Sequence, residues 1–317
     1  MIKMYKTQVE TNNTIETKEF ERGNWINMVS PTEEEIKLVC KKLKIEEHFI
    51  RDSLDYEEKA RIDYEEDDDT TLFIVDVPIM EKENNEEIHS TMPLGMIVVR
   101  DDYFITVSIK PNKIISELEK NKTKNMVITY KKSRILLQIF YKNAQIYLSE
   151  LKKINREKEK TEKELNNSMK NKELLKMLAL EKSLVYFTTS LKSNEVVMEK
   201  TLKGKVIKLY EEDEDILEDA IIENKQAMEM AKIYSDILSG TMDTYASIIS
   251  NNLNIVMKVL TTITIILSIP TIIGSYWGMN VPVPFSDNSY GFYIVIGVSL
   301  LIAIITYLIF KKRNMLS

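Results

Sequence analysis

The chain has 317 residues, of which 44% are apolar and 29% are charged, and its net charge is −6. With only 8 glycines and 7 prolines, the composition excludes collagen-like and low-complexity disordered proteins. The mild acidity gives no basic footprint for nucleic acid, so no nucleic-acid partner is expected. Cys40 is the single cysteine, which excludes an intramolecular disulfide, and with 2 histidines a structural zinc site of the usual ligand types is nearly excluded.

Residues 1–132 have the pattern of an α+β head with a mixed or antiparallel sheet and flanking helices. Asn24–Val29 is strand-like, and Thr32 then begins a helix in which Glu35 completes a capping box. Three apolar, β-branched runs predict strands of antiparallel hairpins: Thr71–Pro78, Met92–Arg100 and Tyr103–Ile109. The polar stretch EKENNEEIHS is predicted to be the turn between the first two. The head pairs no nucleophile with a base and has no glycine-rich phosphate loop, so we predict neither an enzyme nor a covalently bound cofactor.

The middle of the chain is helical in pattern. Residues 133–204 predict two long charged helices, Ser133–Met169 and Asn171–Leu202, arranged as an antiparallel pair. A third helical pattern begins near Glu211 and shows no stop signal before the end of the first apolar segment described below. If this helix is continuous to Asn280, it has about 70 residues and a length on the order of 100 Å.

This third helix would therefore combine a stalk, residues 205–257, with an apolar segment, residues 258–280. Its weak points are Gly240 and Pro270. A proline inside a helix removes one backbone donor, so Pro270 should kink the helix or leave a carbonyl without its partner.

Two apolar runs near the C-terminus predict membrane spans. Val259–Trp277 and Gly291–Phe310 carry no charge over 19 and 20 residues, which is the length that a helix needs to cross a bilayer. The second span occupies residues 291–311. A buried helical hairpin in a soluble protein is a minor alternative, because such helices rarely run so long without a charge.

The basic flanks predict the orientation of these spans. Lys258 precedes the first apolar run, and Lys311, Lys312 and Arg313 follow the second, the last two within a basic tail over residues 312–317. The connection at residues 281–290 has no Lys or Arg. The positive-inside rule then places both chain ends in the cytoplasm. The N-terminal residues lack the apolar segment of a signal peptide. We expect a multi-pass protein of a plasma (inner) membrane, with the bilayer as one partner.

A polar stripe follows one face of the third helix. Alternating steps of four and three residues connect side chains that are mostly small and hydroxyl-bearing within the membrane: Ser275, Thr271, Ser268, Thr264, Thr261, Met257, Asn254 and Ser250. Steps of seven below Ser250 reach three carboxylates: Asp243, Asp236 and Glu229. Packing between helices explains hydroxyl residues in a span, but it does not explain carboxylates on the same line. Repeated around a symmetric oligomer, the stripe favours a cation pore with acidic rings at its cytosolic end.

The first span ends in Tyr276-Trp277 followed by Gly-Met-Asn, and here the sequence resembles the CorA family of magnesium transporters, whose hallmark is Gly-Met-Asn at the end of the first of two C-terminal spans. The approach Ser250-Asn251…Asn254…Val256-Met257-Lys258-Val259-Leu260 is also similar to the family. The resemblance covers the last hundred residues, and covers the head in layout alone.

The resemblance implies a homopentameric channel, a pentameric funnel with the first spans around the pore, that takes up Mg²⁺ down its electrochemical gradient. Gly278, Met279 and Asn280 would form the selectivity entrance, where a ring of Asn280 side chains binds hydrated Mg²⁺. Asn254 and Leu260 match pore positions of the family, Leu260 as part of a hydrophobic constriction, although a lipid or helix contact explains Leu260 equally well.

The resemblance further implies that Mg²⁺ is a regulatory ligand as well as the substrate. Asp219 on the stalk looks like the family's stalk ligand, and Asp52 looks like its partner from the adjacent subunit. The plainer interpretation, that both are solvated surface charges, stands level with this one. The acidic run Glu65–Asp69 is expected to be a solvated loop, because adjacent carboxylates cannot all converge on one ion.

Two departures from the family's pattern limit what can be carried over. The outer loop has one acidic residue, Asp287, where many relatives have several, which puts electrostatic recruitment of cations in doubt. Trp277 stands where relatives often have Tyr or Phe.

Two alternatives remain open for the function. One is a zinc, cobalt or nickel transporter of the same architecture, although a pore without histidine or cysteine favours a hard ion. The other is a membrane-tethered coiled-coil scaffold without transport.

Overall fold

The computed structural model describes residues 1–66, 69–83, 86–120, 127–168, 171–203, 206–285 and 288–313. Asp287, part of the acidic run Glu65–Asp69 and the end of the basic tail lie outside the described residues. The chain divides into two compact units, Met1–Ser239 and Gly240–Ser317.

The first unit is built on a seven-stranded mixed sheet with the strand order β2-β1-β3-β7-β6-β5-β4. The strands are β1 (Ile2–Thr7), β2 (Thr14–Thr17), β3 (Trp25–Val29), β4 (Arg61–Glu65), β5 (Thr70–Glu83), β6 (Glu86–Val99) and β7 (Tyr103–Ser108). β3 and β7 pair in parallel, and every other neighbouring pair is antiparallel. The predicted mixed or antiparallel sheet is confirmed.

Helices are present where the sequence pattern predicts them. They are α1 (Glu33–Leu43), α2 (Glu47–Asp52), α3 (Lys113–Glu119), α4 (Lys132–Ser168), α5 (Asn171–Lys203), α6 (Glu211–Trp277) and α7 (Gly291–Lys312). The capping box at the start of α1 is present: the Glu35 amide donates to Thr32 Oγ1 over 3.3 Å, and the Thr32 amide donates to Glu35 Oε2 over 2.9 Å.

Both faces of the sheet are buried because successive side chains of a strand point to opposite faces. Leu72 and Ile74 of β5 belong to one apolar cluster, together with side chains of α1 and α2. Phe73 and Val75 belong to a second cluster, together with side chains of α3, α4, α5 and α6. The continuous apolar runs in the sequence are therefore central strands with two covered faces.

The hairpin of β5 and β6 is longer than the sequence pattern predicts. The stretch EKENNEEIHS was predicted to be a turn, but Ile88, His89 and Ser90 lie in β6, where His89 pairs with Met80 of β5. The prediction was wrong because helices pack on this end of the hairpin, bury Ile88 and His89, and offer hydrogen-bond partners to the backbone. The His89 amide donates to Ser183 Oγ on α5 over 3.1 Å, for example.

α4 and α5 are fixed to the sheet at Asp76 of β5. The Asp76 carbonyl oxygen accepts hydrogen bonds from Asn143 Nδ2 at 2.9 Å, Tyr147 Oη at 3.1 Å and Asn194 Nδ2 at 2.8 Å. The Asp76 amide in turn donates to Asn194 Oδ1 over 2.8 Å. Side chains from two helices thus replace the backbone partners that this part of β5 would otherwise need.

α6 is one uninterrupted helix of 67 residues that starts in the first unit and ends in the second. It passes through Pro270 and ends at Trp277, so Gly278, Met279 and Asn280 lie beyond the helix rather than in its last turn. Within the described residues, two helices, α6 and α7, are long and apolar enough to cross a membrane.

Candidate functional site

The polar stripe lies on the part of α6 that belongs to the second unit, where nearly all of its side chains are exposed in the single chain. The exposed members are Asn254, Met257, Thr261, Thr264, Thr271 and Ser275, and Ser268 is half-buried. Leu260 is 57% exposed. Only 6% of the apolar span of α6 is buried within the chain, so lipid or further protein must cover it.

The hydroxyl groups of the stripe donate to the backbone of their own helix. The hydroxyl oxygen of each residue lies 2.7–3.1 Å from the carbonyl oxygen four residues earlier, in Thr261, Thr264, Ser268 and Thr271. Because each hydroxyl proton is used in this way, what the stripe offers to its surroundings is oxygen lone pairs. These are acceptors suited to the hydrogens of a cation's water shell.

The end of α6 is held by contacts with the following loop. The Gly278 amide donates to the Gly274 carbonyl over 3.0 Å, which closes the last helical turn. Trp277 Nε1 donates to the Pro284 carbonyl over 3.1 Å, which ties the loop back to the helix. Met279 and Asn280 between these two contacts are exposed. The predicted Gly-Met-Asn entrance therefore lies on a short segment that is anchored on both sides.

The start of α7 closes this loop. The Asn288 amide donates to the Phe285 carbonyl over 3.2 Å, and the Gly291 amide donates to the Asn288 carbonyl over 2.8 Å. A Cβ atom at Gly291 would lie 2.2 Å from the Phe285 carbonyl oxygen, so a larger residue does not fit without moving the loop.

The three predicted stalk carboxylates are exposed on α6. Glu229 and Asp236 lie in the first unit and Asp243 in the second. Successive residues of an α-helix are separated by about 100° around its axis. Buried side chains of the stalk stand two residues before or after a carboxylate, which places them about 200° around the helix from it. Ala227, Ala231 and Leu238 are examples of this buried face. The acidic line is thus opposite to the side by which α6 packs on its own head.

The two predicted regulatory carboxylates lie on different elements of the head. Asp52 is the last residue of α2 and accepts from Arg61 Nη2 of β4 over 2.7 Å. Asp219 is exposed on α6. Among the described residues, no hydrogen bond or ion pair joins Asp52 to Asp219, so the single chain does not bring this pair together.

Sequence reasoning missed a buried ionic cluster between β6 and α4. His89 is 1% exposed, and its Nδ1 lies 3.5 Å from Glu150 Oε2. The neighbouring imidazole and Lys153 lower the pKa of Glu150 to about 2, against the opposing effect of burial. Its signal in the sequence is weak, since the cluster joins residues about sixty positions apart.

An α+β head, a long helix with a line of oxygen-bearing side chains, and two candidate membrane helices define an integral membrane protein built for ion transport. A family model described as "CorA-like Mg2+ transporter protein" matches residues 20–312. The chain belongs to this family. It is a membrane transporter of divalent cations and not an enzyme, which excludes the scaffold alternative.

Individual relatives agree with the family. The chain is 30% identical to the "Cobalt/magnesium transport protein CorA" of Methanocaldococcus jannaschii over 301 residues, which cover 92% of this chain and 90% of the relative. Over 148 residues, 43% of this chain, it is 34% identical to the protein of the same name from Thermotoga maritima, of which 42% is covered. The complete structure of the CorA magnesium transporter from Methanocaldococcus jannaschii matches with a TM-score of 0.83 and 26% identity over 98% of both chains.

Proposed function

We propose that five copies of this chain form a channel in a plasma (inner) membrane, with both termini in the cytoplasm, and that the channel takes up Mg²⁺ down its electrochemical gradient. The observation that carries this proposal is the line of oxygen-bearing side chains along the exposed face of α6, which leads to Asn280 beyond the helix end. The relatives named for cobalt and magnesium transport support the choice of ion.

The chemistry of the line suits a hydrated ion. Mg²⁺ gives up its water reluctantly and is usually bound with several waters in place. The outward-facing hydroxyl oxygens at Thr261, Thr264, Ser268 and Thr271 accept hydrogen bonds. A ring of Asn280 amide oxygens would do the same at the entrance, so the ion is recognised through its water shell.

The need for several copies follows from exposure. Polar atoms along a lipid-facing helix are unfavourable, and a pore requires a closed ring of helices. With 6% of its apolar span buried within the chain, α6 has its polar stripe free to line a central axis in an oligomer. The stalk carboxylates Glu229, Asp236 and Asp243 would then form acidic rings that raise the local cation concentration.

We assign regulation to Asp52 and Asp219. In the single chain Asp219 is exposed, and the Asp52 side chain is 30% exposed although it is paired with Arg61, so a neighbouring copy can reach both. A Mg²⁺ ion held between Asp52 of one copy and Asp219 of the next would tie adjacent heads together when internal Mg²⁺ is abundant. Loss of the ion would release the heads, so the pore would respond to its own substrate.

A transporter of Zn²⁺, Co²⁺ or Ni²⁺ with the same architecture is the second candidate, favoured by the word cobalt in the relatives' names. Residues 258–311 contain neither histidine nor cysteine. Ligand softness therefore favours Mg²⁺ for a partly dehydrated ion, but it discriminates little if the ion passes hydrated.

The test is Mg²⁺ uptake into proteoliposomes loaded with a Mg²⁺-sensitive dye. We expect uptake by the wild type and its loss in Asn280→Ala, with both proteins assembled to the same size. Val281→Ala is the matched control, because Val281 is the next residue and is also exposed. Equal uptake by wild type and Asn280→Ala removes Asn280 from its role. Transport of Co²⁺ or Zn²⁺ without transport of Mg²⁺ would identify the protein as the transition-metal transporter of the second proposal.

A further inference from the structure

Three potential metal ligands that the sequence does not bring together meet at one edge of the head. They are Glu46, His48 and Glu65, whose ligand atoms all lie within 4.8 Å of one another. Glu65 lies 17 residues after His48 and 19 residues after Glu46 in the sequence. The group consists of an imidazole and two carboxylates, so it is not merely a cluster of acidic residues.

The backbone fixes where these three side chains start. Ile45 is buried at 6% exposure and anchors the chain just before Glu46, which is the residue that precedes the first turn of α2. Glu65 is the last residue of β4 and pairs with Thr70 of β5. β4 is the outermost strand of the sheet on this side, and Glu65 is half-buried there.

His48 is held in position by its neighbours. Its ring lies against that of Phe49, with 4.1 Å between the ring centres, and Phe49 is fully buried. Nδ1 of His48 lies 3.1 Å from Glu46 Oε2. Two ligands bound to one ion at about 2.0–2.2 Å are separated by about 2.8–3.6 Å, so this pair of atoms already has the spacing of two ligands in a coordination shell. The ligand oxygen of Glu65 lies within 4.8 Å of the other two ligand atoms.

The charge balance also favours a cation at this position. Within the described parts of the chain, neither Glu46 nor Glu65 forms an ion pair with a lysine or arginine. Arg51 on α2 is engaged by Glu33 and Glu47, and Arg100, which lies near this edge, donates to the Lys44 carbonyl over 3.3 Å. A metal ion binds the neutral imidazole and the ionised carboxylates, so two carboxylate ligands supply the charge that a divalent ion neutralises.

We propose that Glu46, His48 and Glu65 form a binding site for a divalent transition-metal ion, of the class of Zn²⁺, Co²⁺ or Ni²⁺, on the head of each chain. Imidazole is a good ligand for these ions, whereas Mg²⁺ prefers oxygen ligands and water. Three protein ligands leave at least one position for water. The site lies within one chain and uses neither Asp52 nor Asp219, so it goes beyond the transport proposed above.

The experiment is equilibrium dialysis of the full-length protein in detergent against Co²⁺, with Mg²⁺ in large excess to occupy sites that prefer a hard ion. We expect one bound Co²⁺ per chain with a visible absorption band that indicates a nitrogen ligand. His89, the second of the two histidines, is 1% exposed, so an accessible imidazole ligand is His48. His48→Ala should weaken Co²⁺ binding by at least about tenfold, as loss of metal-site residues typically does.

Two further variants make the result decisive. Glu65→Gln removes a ligand from β4 while leaving α2 intact, and it should weaken Co²⁺ binding to a similar extent. Glu57→Gln, an exposed carboxylate on the connection between α2 and β4, should leave binding unchanged. Equal binding by the wild type, His48→Ala and Glu65→Gln overturns the proposal, as does full displacement of Co²⁺ by the excess Mg²⁺.

Discussion

Arg61 Nη2 lies 2.7 Å from Asp52 Oδ2, so the carboxylate assigned to bind regulatory Mg²⁺ is already paired with a cation of its own chain. Arg61 is also ion-paired with Glu58. Metal binding at Asp52 must therefore compete with the guanidinium, and this competition would set how much internal Mg²⁺ is needed for inhibition.

Removal of Arg61 should increase the sensitivity of the channel to internal Mg²⁺. In Arg61→Gln we expect the half-inhibitory concentration of internal Mg²⁺ to fall by about two- to fivefold, which is the size of effect that loss of a partly exposed ion pair produces. The measurement is Mg²⁺ flux titrated against internal Mg²⁺. Lys59→Gln loses the same charge at an exposed neighbouring position, and an equal shift in that control would show a general charge effect instead.

Loss of Asp219 should have the opposite effect. Asp219→Ala removes one of the two proposed carboxylate ligands, so inhibition should require roughly tenfold more internal Mg²⁺, or disappear. Asp215→Ala is the control, since Asp215 is exposed one turn earlier on α6. An unchanged titration curve for Asp219→Ala in the same flux assay would remove this residue from regulation.

The polar stripe should be sensitive to loss of its oxygen atoms. Thr264→Val keeps the shape of the side chain but removes the hydroxyl that donates to Leu260, and we expect a severalfold lower Mg²⁺ flux. Thr264→Leu also narrows the proposed pore, and should lower flux by more than about tenfold. Ile265→Leu, an apolar exchange on the adjacent face, should be silent. Normal flux through Thr264→Leu contradicts a pore along this face.

The conformation of the outer loop should depend on the absence of a side chain at Gly291. In Gly291→Ala the new methyl group would meet the Phe285 carbonyl oxygen at 2.2 Å, which forces the loop to move. Since Trp277 Nε1 binds the same loop at Pro284, the displacement should reach the Gly-Met-Asn segment and reduce flux by roughly tenfold. The control is Gly297→Ala, where a Cβ atom meets nothing within 4 Å. Flux that is equal in both variants would show that the loop tolerates the displacement.

Local patterns in the sequence predicted the elements that are long or carry specific end signals. The capping box of α1, the bounds of α4 and α5 to within about one residue, and the continuity of α6 follow from the helical period and cap residues. The outer strands β1, β2 and β4 were not predicted, although RIDYE of β4 alternates polar and apolar residues over five positions. The parallel pairing of β3 with β7 joins residues about 80 positions apart, which no local pattern encodes.

The same limit applies to the sites. The stripe on α6 was visible because one helix carries all of its members at a fixed spacing. Glu46, His48 and Glu65 were missed because their proximity depends on the position of β4 in the sheet, and this strand was not predicted. The His89–Glu150 contact was missed because the polar composition of EKENNEEIHS predicts a turn, whereas Ile88, His89 and Ser90 lie in β6 and His89 is buried under the helices.

Asp76 should make the stability of the head depend on pH. Burial raises the pKa of its carboxyl group from 3.8 to about 6, against the opposing hydrogen bond with Ser190. The folded chain therefore holds a proton that the unfolded chain has lost between about pH 4 and pH 6. The associated stability is fully present below about pH 4 and is lost as the pH rises through 6, by up to about 3 kcal/mol.

Asp76→Asn mimics the protonated carboxyl group, so this variant should unfold at a higher temperature than the wild type at pH 7.5 and at nearly the same temperature at pH 4. Thermal unfolding of the full-length protein in detergent, followed by tryptophan fluorescence, measures this difference, because Trp25 is buried in the sheet at 1% exposure. Asp215→Asn, at an exposed position, should shift neither melting temperature. A stabilisation by Asp76→Asn that is the same at both pH values contradicts titration of Asp76 as its cause.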